Sequence, residues 1–489
     1  MAADLHFNSR LCSSGSRLCA SDPQYRAALG IVRRLREAGH QAYFAGGCVR
    51  DLLLGVAPKD FDVATSATPD QVVALFAKTF TVGAHFGVAL VCLTVTNEDA
   101  AEGEVEIATE VATFRHDGAY SDGRRPDAVR FSTDAREDVL RRDFTINGML
   151  LDPEKYEATG DVAAATLDYV DGRSDLARGA VRAIGDPALR FSEDKLRLLR
   201  AVRFAARFDF QIDEATTRAM RSHAEAIAQV SVERIRDEMT RILTEGGARR
   251  GFERLCELGL LERILPEVVR MRGVAQPPEF HPEGDVWTHT MLMLEKLPAG
   301  CSATLAWGAL LHDIGKPATY QPPNPIVPGD RIRFNGHVEV GVRIAEVTLA
   351  RLRFSGEDAA QIVALVKNHM RFGDVMQMKQ STLKRFLRLP RFEEHLALHR
   401  LDVSSSFGDL TNYDYAREQY ETEPAEEHRP ALLLTGRDLI ATGYRPSPQF
   451  KAMLTLAEDA QLEGTAKTRE QALKLVVERF PRPDHSPKR

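Results

Sequence analysis

The stretch Ala42-Tyr43-Phe44-Ala45-Gly46-Gly47-Cys48-Val49-Arg50-Asp51, followed closely by Lys59-Asp60-Phe61-Asp62-Val63-Ala64-Thr65, decides the fold. Four apolar residues make a strand, the glycine pair ends it, and a helix opens at Cys48. The N–H groups of Gly46 and Gly47, at the start of that helix, can receive the phosphates of a nucleotide. Residues i and i+2 of a strand share a face, so Asp60 and Asp62 on the next strand would project together. Two such carboxylates can hold two Mg2+ ions about 3.5–4 Å apart, activating a hydroxyl nucleophile and stabilising a pyrophosphate leaving group. An Asp-x-Asp pair alone also fits a surface turn with a helix cap, so the surrounding sequence has to choose.

Composition sets the bounds. The 489 residues are too many for one hydrophobic core and enough for three or four units. The 44% hydrophobic and 27% charged content is that of an ordinary globular protein. With 64 Lys+Arg against 70 Asp+Glu the net charge is −6, so nucleic-acid binding would need local basic faces. Cysteines 12, 19, 48, 92, 256 and 301 form no Cys-x-x-Cys, which argues against a disulfide framework or a thiolate zinc site. No apolar run approaches the roughly 18 residues of a membrane span. Residues 1–22 are polar and Ser-rich without an apolar core, a frayed start rather than a signal peptide, and the expected location is cytoplasmic.

Along the chain, 23–39 has Ala27, Ile31, Leu35 and Ala38 at helical spacing and Gly39 as the stop. Thr68-Pro69 starts another helix. Residues 80–95 and 105–114 are β-rich, whereas 187–244 is helical almost throughout. Pro277, Pro278 and Pro282 mark a linker at 275–285, and a proline-rich loop at 317–330 interrupts a helical stretch at 286–405. No internal repeat is present. The expectation is an α+β chain: a small mixed-sheet head (23–152), an all-α neck (153–274), a helical domain (280–405) and a helical C-terminal part (406–480).

The run Gly46–Gly55 followed by Lys59–Thr65 resembles the class II tRNA nucleotidyltransferase and bacterial poly(A) polymerase family, within the DNA polymerase β-type nucleotidyltransferases. The resemblance continues through Arg141-Arg142-Asp143-Phe144-Thr145-Ile146-Asn147, Glu193-Asp194-Lys195-Leu196-Arg197 and Glu233-Arg234-Ile235-Arg236-Asp237-Glu238, covering 25–270. It implies catalysis by Asp60 and Asp62 with Mg2+, and a third carboxylate on a neighbouring strand, Glu110, with Glu106 on the same face as its rival. It implies nucleotide contacts from Arg50, Arg141, Arg142, Asp143 and Asn147, with Asp143 accepting from the ribose 2′-OH. An Arg-Arg-Asp helix start could also be merely salt-bridged. The Gly-, Asp- and Arg-rich stretch 115–130 resembles the flexible loop with which CCA-adding members switch from CTP to ATP.

Asp194 and Arg197 stand one helical turn apart, so both can face one planar base. A carboxylate only accepts and a guanidinium only donates. Cytosine and adenine each offer an amino donor beside a ring acceptor and suit the pair. Uracil and guanine present the reverse pattern, and such mismatches discriminate by about 10⁴-fold. The same spacing fits a surface ion pair; the order of the surrounding motifs favours a protein template for C and A. Arg197, Arg200, Arg203 and Arg207 form a stripe that could support the base pocket or meet RNA phosphates. A solvated helix face fits Arg203 and Arg207 equally well.

A second constellation follows. His289, His312-Asp313 (in Leu310-Leu311-His312-Asp313-Ile314-Gly315-Lys316), His337, His369 and Asp402 run in the order of the HD phosphohydrolase superfamily, which they resemble. Imidazole and carboxylate ligands suit one or two ions such as Mn2+, Co2+ or Ni2+, whose bound water would attack a phosphate ester. Certain class II tRNA nucleotidyltransferases carry such a domain, with phosphatase or 2′,3′-cyclic phosphodiesterase activity. His281 resembles the entry to this domain in a structural role. Residues 434–439 and 443–446 resemble the family's C-terminal region. Lys379, Lys384, Arg385, Arg388 and Arg391 make a basic helix that could touch a tRNA backbone or be simply solvated.

The expected function is template-independent addition of CCA to tRNA 3′ ends from CTP and ATP, with HD-domain phosphohydrolase activity beside it. The alternatives are a poly(A) polymerase, an A-adding or CC-adding partial enzyme, or an HD phosphohydrolase with an RNA-binding head. Poly(A) polymerases of this family usually carry an Arg-rich segment where this chain has Val82-Gly83-Ala84-His85-Phe86-Gly87-Val88, and generally lack a complete HD domain.

Overall fold

Alternating and continuous apolar runs in the first 170 residues build one sheet. The computed structural model describes residues 22–81, 87–96, 103–118, 128–422 and 431–481. The strands are β1 (Ala42–Ala45), β2 (Val63–Thr65), β3 (Thr79–Thr81), β4 (Val88–Thr96), β5 (Glu104–Thr113), β6 (Arg115–Asp117), β7 (Val129–Phe131), β8 (Met149–Leu151) and β9 (Thr166–Asp168). Seven of them form a mixed sheet in the order β3-β4-β5-β2-β1-β8-β9. All its neighbours are antiparallel except β2 and β5, which run parallel with Val63 beside Val111. The helix Pro23–Glu37, capped by Asp22, buries Ala27, Ala28, Ile31, Val32 and Leu35 against the sheet. Its Tyr25 ring meets Phe44 and Phe61 edge-on at 5.6 and 5.4 Å.

Two boundaries differ from expectation at the glycine turn. The helix opens at Gly47 rather than Cys48. β2 starts at Val63, so Asp60 and Asp62 lie on the extended segment leading into it rather than on the strand. The alternation nevertheless holds, because Ala45 N–H donates to the Asp62 carbonyl at 2.9 Å and prolongs the β1–β2 ladder. Phe61 is buried in the core while Asp60 is exposed and Asp62 half-buried.

β6 and β7 pair as antiparallel arms, Arg115 opposite Phe131 and Asp117 opposite Val129. Residues 119–127 of the expected switching loop lie outside the described residues, as do 82–86, 1–21 and 482–489.

The neck is helical, with Pro187–Glu193, Arg197–Phe208, Val232–Thr244 and Ala248–Glu257 as its main elements. Gly247 lets two of these helices meet: with φ +73°, a Cβ there would stand 2.1 Å from the Ala206 carbonyl oxygen. The chain forms two compact units, dividing between Ile264 and Leu265.

The second unit packs Val286–Glu295, Ala303–Leu311, His337–Arg351, Gly356–Asn368 and Phe392–Ser404, with Trp307 fully buried. Its last helices, Gln449–Leu462 and Arg469–Arg479, bury Met453, Ala457, Ala472 and Val476 together. The 379–391 segment is not a free basic face. Arg385 and Arg388 bind Glu458 at 2.7 and 2.5 Å, and Arg391 binds Glu357 at 2.5 Å. No helix among the described residues is long and apolar enough to cross a membrane.

Candidate active site and metal centre

The parallel register of β2 and β5 sets Asp62 beside Glu110, one position before the Val63–Val111 pair. Both, with Asp60, line a cavity of about 570 Å³, joined there by Gly46, Gly47, Arg50, Arg141, Arg142, Asp143, Asn147, Asp194 and Arg197. Asp60, Asp62, Glu110 and the expected nucleotide-contacting residues of the head thus line one cavity. Glu106, the rival third carboxylate, instead pairs with Lys78 at the surface.

Burial, then the charges of Asp60 and Glu110, raise the Asp62 carboxyl from 3.8 to about 7, against the pull of Arg142. Three carboxylates with so little neutralisation make a hard-oxygen set suited to divalent cations. The linkage sign follows: without metal, the folded state binds a proton at Asp62 that the unfolded state has released, between about pH 4 and pH 7. Stability of the EDTA-treated protein should therefore fall as pH rises through that window, and Asp62→Asn should flatten the fall. Thermal melts at several pH values check this; an equal slope in both proteins would remove Asp62 as its cause.

Arginines organise the rest of the cleft. Asp138, fully buried on the helix Ala135–Leu140, accepts from Arg141 at 2.5 Å and Arg142 at 2.9 Å. The Arg-Arg-Asp run follows a helix end rather than opening one. Arg142 reaches the glycine turn, where a Cβ on Gly46 would come within 3.1 Å of it. Arg50 donates to Asn147 Oδ1 at 2.6 Å and stacks over Phe208 and Phe204 at 4.7 and 5.3 Å, tying the turn to the neck.

Asp143 is held by partners within the first unit. Its Oδ2 accepts from Arg200 at 2.6–2.8 Å, and its Oδ1 accepts from Phe144 N–H at 2.7 Å and Asn147 at 3.3 Å. Burial works against the charge, yet Arg200 and Arg197 bring its carboxyl down to about 2. Here the carboxylate positions Arg200 at the wall of the same cavity.

Asp194 and Arg197 are not on one helix. Asp194 has extended φ/ψ (−141°, 105°) after Pro187–Glu193, and Arg197 opens the next helix. Asp194 Oδ1 accepts the Leu196 N–H at 3.0 Å, a local turn bond that competes with helix continuation. Its Oδ2 accepts from Arg234 at 2.8 Å, while Arg197 donates to Glu193 at 2.6 Å and the Arg141 carbonyl at 3.1 Å. Both line the cavity, each with a partner in place. Arg203 and Arg207 are not solvated either. Arg203 is 2% exposed and binds Glu238 at 2.7 Å and Glu245 at 3.0 Å, and Arg207 meets Glu245 at 3.4 Å.

In the second unit, His337, His369, Asp313 and Asp402 line one cavity of about 730 Å³, with His289 and His312 buried beside them. One ligand atom each from His289, His312 and Asp313 lies within 4.8 Å of the others, and the same holds for Asp313, His337 and His369. His369 and His337 Nε2 stand 3.7 and 3.8 Å from Asp313 Oδ1. His289 Nε2 is 3.0 Å from Asp402 Oδ1, without the alignment of a hydrogen bond.

The tautomers are set from behind. Nδ1 of His312, His337 and His369 faces the carbonyls of Ala309, Phe334 and Val366 at 2.9, 3.0 and 2.7 Å, and His289 Nδ1 faces Glu283 at 2.7 Å. Donation there leaves the Nε2 of His312, His337 and His369 as an acceptor in the neutral ring, and those three Nε2 atoms, that of His289 and Asp313 Oδ1 are buried without hydrogen-bond partners among the described residues. Imidazoles oriented through Nδ1 are what a metal ion requires. Burial opposes a proton on His289, but Asp402 and Glu283 raise it to about 9, so metal loading there would release a proton. Burial holds His369 neutral, near 4.

Several residues of both sites went unassigned from the sequence: Asp138, Glu193, Arg234, Glu238 and Glu245 in the first unit, and Glu283, Lys316 and Gln276 in the second. Glu283 accepts from both His281 and His289, so His281 shares an anchor with a candidate ligand. Lys316 Nζ, 7% exposed, binds Asp313 Oδ2 at 2.6 Å and Gln276 at 2.7 Å. Lys316, Asp138 and Glu193 carry a local signal, their i+3 or i+4 spacing from Asp313, Arg141 and Arg142, and Arg197, whereas the partners of Arg234, Glu238, Glu245 and Gln276 are far away in sequence.

The comparisons with known proteins agree with this geometry. The poly A polymerase head domain family matches residues 42–182, the probable RNA and SrmB-binding site of polymerase A 209–271, and the HD domain 285–400. A CCA-adding enzyme of Lactobacillus gasseri is 38% identical over 278 residues, 56% of this chain and 65% of that protein, just under two thirds of its length. A CCA-adding enzyme of Levilactobacillus brevis is 31% identical over 458 residues, 93% of this chain and 98% of that protein. Among solved structures, the Bacillus stearothermophilus CCA-adding enzyme in complex with CTP superposes with TM-score 0.67 at 26% identity, over 94% of this chain and 98% of that one. A Thermotoga maritima CCA-adding enzyme complexed with tRNA shares the fold at 18% identity, TM-score 0.54, over 96% and 99% of the two chains. With its convergent carboxylates, arginine-lined neck and HD cluster, and matched over 93% of its length by the Levilactobacillus brevis enzyme, this chain belongs to the family of CCA-adding enzymes.

Proposed function

We propose that this protein adds CCA to the 3′ ends of tRNA from CTP and ATP, without a nucleic-acid template, in the carboxylate-lined cavity of its first unit. The observation that carries the reading is the convergence of Asp60, Asp62 and Glu110 with the Asp194 and Arg197 side chains in one cavity. Asp60, Asp62 and Glu110 would hold Mg2+, which when bound activates the tRNA 3′-hydroxyl and neutralises the departing pyrophosphate. Gly46 and Gly47 leave room for the triphosphate, and Arg142 and Arg50 bring positive charge to the same turn. The relative crystallised with CTP is consistent with a nucleotide in that place. We divide the chain into head (23–152), neck (153–274), HD domain (280–405) and a C-terminal region (406–480) that follows the tRNA body. We place it in the cytoplasm, where tRNA and nucleoside triphosphates meet. The test is purified protein with tRNA lacking its end, ending in C, or ending in CC, and each NTP separately. CTP should extend the first two and ATP the third; ATP extension of all three would make it a poly(A) polymerase.

Asp194 and Arg197 choose the base once released from Arg234 and Glu193. Asp194→Ala or Arg197→Ala should raise UTP or GTP incorporation relative to CTP and ATP, by up to about 10²-fold. Competition assays with mixed NTPs measure it. A uniform loss of rate with unchanged selectivity would make the pair structural.

The second unit would hydrolyse phosphate esters. His289, His312, Asp313, His337, His369 and Asp402 would hold one or two transition-metal ions such as Mn2+, Co2+ or Ni2+, which supply a hydroxide nucleophile. Their unpartnered Nε2 atoms support that reading.

A further inference from the structure

We propose that His399 is a substrate-binding residue of the second unit, donating a ring N–H to an oxygen of the phosphate ester hydrolysed there. The inference rests on the hydrolase reading of that unit. His399 precedes Asp402 by one turn of the helix Phe392–Ser404, so both side chains leave the helix on the same side. It lines the same cavity as Asp313, His337, His369 and Asp402. Its ring lies flat on Phe372, with centroids 4.3 Å apart and planes 6° from parallel, which fixes the plane of the imidazole. The residue is 7% exposed, and its Nε2 is buried without a hydrogen-bond partner among the described residues.

Each candidate ligand histidine is steered through Nδ1 by a carbonyl or by Glu283, and no such anchor is found for His399 among the described residues. It is therefore not prepared as a fifth histidine ligand. Unsatisfied nitrogens alone would not make the case. His395, one turn earlier, has both ring nitrogens buried without partners but does not line the cavity. His399 combines the orphaned nitrogen with the cavity wall. Burial lowers its pKa to about 4 against the pull of Asp402, so the ring is neutral and offers one donor and one acceptor. A neutral donor grips a phosphoryl oxygen without competing with the metal ions for the carboxylates. In the reaction, phosphorus gains the oxygen of water, the ester P–O bond breaks, and the leaving oxygen takes up a proton from that water. His399 holds the phosphoryl oxygen throughout and ends with the proton it began with.

The test uses the full chain loaded with Mn2+, with 2′,3′-cyclic AMP and p-nitrophenyl phosphate as substrates and inorganic phosphate as a binding probe. His399→Ala should lower kcat/KM by about 10–100-fold, mainly through KM, and weaken phosphate binding similarly, the size expected for a hydrogen bond to a charged group. Bound Mn2+, measured by elemental analysis, should be unchanged. His399→Gln, which keeps a donor, should recover part of the loss. Unchanged KM and phosphate affinity in His399→Ala, loss of Mn2+, or a glutamine variant no better than alanine would each overturn the assignment. Wild-type protein that holds Mn2+ and binds phosphate but cleaves neither ester would overturn the hydrolase reading instead, and the phosphate affinities would still decide the role of His399.

Discussion

Replacing Asp62 with alanine is expected to lower nucleotide addition by about 10³-fold or more, because two-metal stabilisation of the transition state is worth several kcal/mol. Asp60→Ala should do the same. The expectation rests on the way β1, β2 and β5 meet. The Ala45–Asp62 hydrogen bond holds Asp62 at the mouth of the strand, and the parallel register sets Glu110 beside it. Burial first, and then the charges of Asp60 and Glu110 beside it, raise the Asp62 carboxyl against the pull of Arg142. Removing Asp62 relieves that crowding, so the variant should fold at least as stably as the wild type while losing its activity. This opposite movement of stability and rate separates a catalytic ligand from a structural one. Glu110→Ala should be nearly as severe. Glu106→Ala should be mild, since its partner is a surface lysine and an exposed pair of that kind is screened by water. Primer-extension rates on tRNA lacking its end measure all four variants. Addition by Asp62→Ala within a few-fold of wild type would end the two-metal assignment.

What the sequence made legible was local or periodic. The glycine turn, the alternation across Asp60-Phe61-Asp62, the cap at Thr68 and the HD ligand order are short-range patterns, and the structure realises each within a residue or two. What it concealed was the pairing of charge across distance. The stripe Arg197, Arg200, Arg203 and Arg207 has amphipathic spacing, but whether it faces water depends on Asp143, Glu238 and Glu245, carried by other segments. Arg385 and Arg388 suggest a surface for RNA until Glu458 of another helix covers them. The break at Asp194 had a different cause. The spacing of acidic and basic residues fits a continuous helix, but the aspartate uses its own side chain to cap the turn that ends one. Asp194 and Arg197 reach the cavity nonetheless, so the spacing pointed to the right place through the wrong geometry.

The His312→Ala/Asp313→Ala double variant is expected to lose metal-dependent phosphate release by about 10³-fold or more, since the activated water goes with the ions. CCA addition should stay within about twofold of wild type, because the two ligand sets belong to different units and share no residue. Asp313 belongs to both ligand triads and faces His312, His337, His369 and Lys316, so its loss disperses the whole cluster. It also leaves the buried Lys316 without its carboxylate, held by Gln276 and the Phe334 ring, and breaking a buried pair costs roughly 3–5 kcal/mol. The second unit should therefore melt earlier than in the wild type, and assays belong well below that transition, with folding followed by circular dichroism. The two ligand sets differ in kind: oxygens alone around Asp62, mixed nitrogen and oxygen around Asp313. They should load differently, Mg2+ restoring nucleotide addition after chelation while Mn2+, Co2+ or Ni2+ restores hydrolysis. A folded double variant that has lost CCA addition would show the centres to be coupled. Wild-type protein that hydrolyses no ester with any of the three metals would reduce the histidine cluster to a structural role, its Nε2 atoms then satisfied by an ion that does no chemistry.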